Sequence, residues 1–275
     1  MKKKLGLVIW VLIALAAFLA LGGIVYNRAK MESQGNKHPV VTFELADKGN
    51  IKIELYPEYA PNTVANFVKL VQSGYYNNKV IYGKDEICLY AGRDSLGEAV
   101  NPKLSLIDSS VEADSENDYE FTIEGEFYTN GFEQNTLRHE KGIITLIRND
   151  YTQYVSALSD ESYNSGNAQI GIMMSDDSST LNGVYAAFGK VIEGMEILEK
   201  IYTEEEIAPV ETTTDETADA ATEEEETGID RFATFPVIKS ASVETHGVEF
   251  GMPEIQEAFD YESYMNDLMS QYYGQ

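Results

Sequence analysis

The residue types that most often carry chemistry are sparse in this chain, with three histidines and one cysteine among 275 residues. His38, His139 and His246 lie far apart, and no zinc-ligand spacing occurs. Cys88 stands alone, so no intrachain disulfide can form. That usage fits a bacterial surface without dedicated oxidative folding better than a disulfide-rich secreted scaffold. Asp114-Ser-Glu-Asn-Asp118 faintly resembles a calcium loop, but Tyr119 sits where the turn glycine must be, so a solvated loop is the expectation. Serine and histidine show no hydrolase arrangement, and no glycine-rich phosphate loop is present. Asp176-Asp177, in a serine-rich stretch, reads as a turn. Any chemistry must therefore come from how the folded elements arrange ordinary polar side chains.

Those elements are legible from apolar spacing. Ile51, Ile53 and Leu55 recur at period two, as a half-buried strand requires, and Val41-Thr-Phe-Glu-Leu45 alternates in the same way. Asp47-Lys-Gly-Asn50 supplies turn residues between the two. Pro61 suits the first turn of a helix, where its missing N–H costs nothing. Val64, Phe67, Val68 and Val71 then follow at i, i+3, i+4 and i+7, and Gly74 stops the helix. Further strand-like runs cover residues 87–90, 142–147, 169–173, 185–191 and 235–243. A second short helix begins near Glu193, with Met195, Leu198 and Ile201 on one side. There are no internal repeats.

Composition divides the chain. Lys2, Lys3 and Lys4 precede an uncharged run that starts at Leu5 and ends at Tyr26. At 1.5 Å per residue this run is long enough to cross a bilayer core of about 30 Å. Residues 1–30 read as a single-pass membrane anchor in preference to a cleaved signal, whose small-residue site could only be Ala14-Leu15-Ala16 in mid-run, with the lysines on the cytoplasmic side and the remainder outside. Residues 31–39 form a polar spacer, and a globular domain spans residues 40–247. The net charge of −26 lies wholly outside the anchor, which makes nucleic acid an improbable partner and fits a soluble, self-repelling surface. Between Thr203 and Ile229 there are eleven acidic residues and no basic ones, so residues 203–230 read as a disordered insertion within the domain. From Glu249 onward, Ile255, Phe259, Tyr264, Leu268, Met269 and Tyr272 predict an amphipathic helical tail over residues 248–275, packed on its own domain or offered to a partner.

The strand–turn–helix opening from Ile51 to Tyr76 closely resembles that of cyclophilins, the peptidyl-prolyl isomerase family. Three later blocks carry the same resemblance: Glu124-Gly-Glu-Phe127, Leu137-Arg-His-Glu-Lys-Gly-Ile-Ile-Thr-Leu146 and Leu181-Asn-Gly-Val-Tyr-Ala-Ala-Phe-Gly-Lys-Val-Ile-Glu-Gly-Met-Glu196. Their order and spacing hold from about Val40 to Glu244, apart from insertions near residues 102–118 and at the acidic tract. The resemblance implies a mainly β fold, a closed eight-stranded antiparallel β-barrel with a helix closing each end. His139 falls in the second block, where a packing role is expected.

An X–Pro bond isomerises over a barrier near 20 kcal/mol. Cyclophilins lower it with an arginine that donates toward the prolyl nitrogen, beside an apolar proline pocket and a glutamine that holds the substrate backbone. An ungapped match between Tyr76 and Asp94 puts Ile81-Tyr82-Gly83 on the family's Phe-His-Arg segment, so Gly83 occupies the arginine position. Lys84 and Arg93 are the cations that could replace it. By the same match Cys88 and Leu89 replace a pocket Phe and Met, and Ala91 replaces the glutamine. Gln169 is kept, Gly171 stands for a pocket phenylalanine, Leu181 matches a pocket leucine, and Tyr185 sits where the family carries His or Tyr. Thr180 falls on a position that is often Trp or His. Ile147 and Arg148 lie beside the peptide groove. A hydrogen bond from a charged donor contributes about 1.5–3 kcal/mol, so its loss from the transition state costs roughly ten- to over a hundredfold in rate.

The resemblance thus implies a membrane-tethered isomerase acting outside the cytoplasm on proline-containing exported polypeptides, with weak catalysis and no metal or cofactor. The alternative is a non-catalytic barrel that binds a peptide or an exported partner protein.

Overall fold

Alternation sets the first hairpin. In the computed structural model, which describes residues 38–94, 101–153, 155–176, 178–203 and 235–273, β1 (Val40–Leu45) buries every second side chain. It pairs antiparallel with β2 (Gly49–Leu55), Phe43 opposite Ile51. Asp47 and Gly49 take positive φ in the connecting turn. The following strands are β3 (Lys79–Lys84), β4 (Cys88–Arg93), β5 (Phe121–Thr122), β6 (Ile143–Leu146), β7 (Ile170–Met173), β8 (Ala187–Glu193), β9 (Val237–Glu244) and β10 (Gln256–Glu257). Eight of them close a barrel in the order β1-β2-β8-β6-β7-β4-β3-β9, with every described pairing antiparallel. The closing strand β9 pairs with both β1 and β3. The barrel expected from the resemblance is therefore present.

Helix α1 (Pro61–Gln72) buries Val64, Phe67, Val68 and Val71, the face its spacing predicts, and Leu70 besides. Phe67 lies at the centre of a ring cluster, with centroids 6.2 Å from Phe43, 5.1 Å from Tyr76 and 5.2 Å from Phe188. Edge-to-face pairs of this kind add to the stabilisation from burial alone. The Tyr76 hydroxyl donates to the Ala168 carbonyl at 2.6 Å, so the fully buried ring leaves no orphaned polar atom. Ala60 provides no side-chain cap for α1. The cap comes instead from Glu126, whose carboxylate accepts from the backbone N–H groups of Asn62 (2.9 Å) and Thr63 (2.7 Å) and from the Thr63 hydroxyl (2.7 Å). Burial raises the Glu126 pKa, against the opposing pull of these three bonds. A five-residue helix α2 (Ser159–Tyr163) follows β6, and α3 (Met195–Thr203) buries Leu198 and Ile201 against the barrel core.

His139 has the packing role expected of it. It is buried, with Nδ1 3.2 Å from Asn182 Oδ1 and Nε2 3.1 Å from Thr145 Oγ1. Neutral imidazole fits both contacts if Nδ1–H donates to the amide oxygen and Nε2 accepts from the hydroxyl. Burial pushes its pKa below the usual 6.5. A folded value below the unfolded one means that stability is present above about pH 6.5 and is lost as pH falls through the folded value. Urea unfolding at pH 7 and pH 5 is expected to show a stability loss in the wild type, part of which His139→Gln removes. Equal pH dependence in the two proteins would show that His139 contributes nothing to it.

The Asp114 to Asp118 loop folds on itself, with the Asp118 carboxylate accepting the N–H groups of Ser105 and Asp114, both at 2.8 Å. The C-terminal tail departs from the uniform helix predicted from Glu249. Pro253 interrupts helical hydrogen bonding, and Gln256 and Glu257 instead form β10 against β5. Only α4 (Tyr261–Tyr273) is helical, and it leaves Leu268, Met269 and Tyr272 exposed. The anchor expected at residues 1–30 and the acidic tract beyond Thr203 lie outside the described residues. Among the described residues, no helix is long and apolar enough to cross a membrane.

Candidate functional site

Strand β4 positions the site through its own pleat, which sends successive side chains to opposite faces. Leu89 and Ala91 enter the barrel core, whereas Cys88 and Tyr90 face a cleft of about 320 Å³ beside it. Leu89 and Ala91, expected at a substrate pocket, thus lie in the barrel core and not along this cleft. Tyr90, which the ungapped match passed over, stands on the cleft side. The β3–β4 pairing is irregular, its register shifting twice, between Val80 and Ile81 and between Ile81 and Gly83. An alignment without gaps cannot carry a facing direction across such irregularities.

Gly83 does not line the cleft, and the preceding residue does. The Tyr82 hydroxyl donates to Gln169 Oε1 at 2.7 Å. Arg93 approaches the same atom from the end of β4, its Nε–H donating at 2.7 Å and its guanidinium carbon 4.4 Å from the Tyr82 ring centroid. Two donors on one oxygen fix the orientation of the Gln169 amide, so its donor group is the terminal NH2. The turn into Arg93 requires Gly92, which has φ +107° and where a Cβ would come within 2.7 Å of the Ala168 carbonyl. Lys84 is directed elsewhere: its Nζ donates to the Tyr202 carbonyl at 2.9 Å and lies 5.9 Å from that ring's centroid. Of the two candidate replacement cations, only Arg93 lines the cleft.

The opposite wall carries Ile147, Arg148, Leu181 and Tyr185, all cleft-lining. The Arg148 guanidinium carbon lies 4.7 Å from the Tyr185 centroid, 5.1 Å from Tyr163 and 5.6 Å from Phe127, an aromatic cage that limits its motion. Gly171 is beneath the floor rather than on the lining. A Cβ there would meet Cys88 Sγ at 2.7 Å, Ile147 Cδ1 at 3.0 Å and Thr145 Cγ2 at 3.3 Å. Neighbouring side chains thus occupy the room a larger residue would need. Gly171→Ala is expected to cost about 1–3 kcal/mol by overpacking, read as a lowered midpoint in urea. Pairing it with Cys88→Ala is expected to recover part of that loss.

Tyr82 is pushed up to about 12, chiefly by burial and against the lowering effect of Arg93, and burial likewise raises Tyr75 to about 12. Burial also pushes the Cys88 thiol up, and its S–H donates to the Leu89 carbonyl at 3.3 Å, so it is held protonated and unreactive. Asp85, absent from the sequence reading, organises the β3–β4 turn. One carboxylate oxygen accepts the N–H groups of Ile87 and Cys88, and the other accepts the Tyr90 hydroxyl at 2.5 Å. Its pattern of i+2 and i+3 bonds is the signal an Asp before a short turn offers. Among the described residues, no group of three or more His, Cys, Asp or Glu could hold a metal ion. The cleft supplies fixed donors, aromatic walls and a small apolar floor, which suit noncovalent handling of a peptide segment.

A family model described as "Cyclophilin type peptidyl-prolyl cis-trans isomerase/CLD" matches residues 40–223. A probable peptidyl-prolyl cis-trans isomerase of Brucella suis is 28% identical over 193 residues, covering 69% of this chain and 83% of its own. Peptidyl-prolyl cis-trans isomerase A of Dickeya dadantii is 28% identical over 161 residues, covering 56% of this chain and 66% of its own. The crystal structure of a cyclophilin type peptidyl-prolyl cis-trans isomerase from Cryptosporidium parvum, in the presence of the dipeptide Ala-Pro, aligns with a TM-score of 0.46 at 19% identity. That alignment covers 74% of this chain and 98% of that one. With the family model spanning more than half of its residues, the chain belongs to the cyclophilin-type peptidyl-prolyl cis-trans isomerase family.

Proposed function

We propose that this protein is a membrane-tethered isomerase of its family that acts outside the cytoplasm on proline-containing polypeptides, slowly, and with Arg93 in place of the missing arginine. The observation that carries this reading is the guanidinium of Arg93, stacked on Tyr82 and bonded to Gln169 at the cleft wall. It brings a charged donor to the cleft from a strand end rather than from the position that Gly83 holds. Membrane tethering and outward orientation rest on the apolar run at residues 5–26 and its preceding lysines. Protease accessibility of the acidic domain on intact cells tests that part.

Gly83 and Gly171 favour a second reading, a peptide- or protein-binding module without catalysis. NMR exchange spectroscopy on a proline-containing peptide, with the full chain in detergent micelles, separates the two. Faster cis–trans exchange supports the isomerase. Peptide shifts without faster exchange support the binding module, and a peptide that neither shifts nor exchanges faster overturns both.

A further inference from the structure

The tail that follows the barrel's last strand reaches the cleft wall by two routes. It is tied down along its length. Asn62 donates to the Glu254 carbonyl (2.8 Å) and accepts from the Glu254 N–H (2.7 Å), and the Ala258 N–H donates to the Glu120 carbonyl (2.8 Å). From there Gln256 Nε2 donates to the Asn164 carbonyl at 3.0 Å, next to Ser165. Phe259 and Tyr261 both pack on Tyr151, with centroids 5.4 Å and 4.9 Å away, the second pair stacked at 14°.

Tyr151 and Ser165 in turn hold the wall. Asn149 Nδ2 donates to the Tyr151 hydroxyl (2.9 Å), and the Asn149 N–H donates to Ser165 Oγ (2.8 Å). The Tyr151 N–H donates to Ser162 Oγ at 2.9 Å. Asn149, Asp150 and Ser165 all line the cleft, and Arg148 Nη1 donates to the Asn149 carbonyl. The route through Tyr151 is made of direct contacts between named atoms and rings, and the route through Gln256 reaches Ser165 by way of its chain neighbour Asn164.

We propose that the tail is a positioning element of the peptide cleft, in which Phe259 and Tyr261 fix Tyr151, and through it the wall formed by Asn149 and Asp150. The proposal rests on reading the cleft as the peptide site. Neither aromatic residue is among those lining the cleft, so their effect on a bound peptide passes through Tyr151.

The test uses the full chain in detergent micelles and a proline-containing peptide whose affinity is read by NMR titration. Phe259→Ala and Tyr261→Ala are expected to weaken binding about three- to tenfold, the equivalent of one lost aromatic pair. Tyr261→Phe keeps the stack and is expected to bind as the wild type does. The amides of Asn149 and Tyr151 are expected to exchange about tenfold faster in the alanine variants, while those of β1 and β2 keep their protection. A purely structural tail would lower protection throughout the barrel and leave the affinity of folded protein unchanged. Wild-type binding with unchanged affinity in both alanine variants overturns the positioning role alone. A wild type that binds no peptide overturns the cleft reading, and the positioning role with it.

Discussion

Arg93→Ala is expected to remove most of the acceleration of X–Pro exchange, by ten- to over a hundredfold, measured by NMR exchange spectroscopy. A charged donor contributes about 1.5–3 kcal/mol to a hydrogen bond, and the whole of that reaches the rate when the bond forms only at the twisted transition state. Arg93 is the cation held at the cleft wall, bonded to Gln169 and stacked on Tyr82. Arg93→Lys is expected to recover little, because an ammonium lacks both the planar stack and the fixed fork. Lys84→Ala is the matched control. Its ammonium is engaged by the Tyr202 carbonyl outside the cleft, and the rate is expected to stay within about twofold. A rate that falls with Lys84 and survives loss of Arg93 would reverse the assignment.

Glu126→Ala is expected to have the larger effect on stability, about 2–4 kcal/mol. The substitution leaves the buried N–H of Thr63 and the part-buried N–H of Asn62 without their carboxylate partner at the start of α1, and each buried unsatisfied group costs about 1–3 kcal/mol. Because α1 carries Phe67 into the central ring cluster, loss of its cap reaches the barrel core. Glu126→Gln keeps one acceptor oxygen, and about half of the loss is expected. Chemical denaturation of the three proteins at one pH checks both values. An alanine variant as stable as the wild type would mean that water replaces the carboxylate at no cost.

The parts legible in the sequence are those where one face meets water. β1 and β2 alternate because they have an inside and an outside, and α1 shows its buried stripe for the same reason. β4 buries both faces in large part, one in the barrel core and one in the cleft, so its residues give no phase and the register shifts beside it stayed hidden. That is why Leu89 and Ala91 were expected in the pocket and Tyr90 was not. Tyr185 needed no such phase, since it lies in a block that the resemblance covers without a gap; Gln169 was matched as a residue the family keeps, and both line the cleft. Arg93 was visible as a cation, but its reach depends on the backbone at Gly92, which spacing cannot convey. The tail misled because Ile255 and Phe259 fit a helical stripe, while Pro253 and the vacant edge of β5 decide for a strand.

The closing strand has a consequence for how the protein is made. Val40 pairs with Glu244 and Val80 with Val237, so two early strands find their partner only at the end of the domain. At about 5–20 residues per second of synthesis, β1 waits roughly 10–40 s for β9 to emerge. Through that interval the β1 and β3 edges are open templates for any other extended chain. The barrel is thus a late, cooperative assembly, and the nascent chain's greatest exposure to misassociation falls just before its last strand is translated.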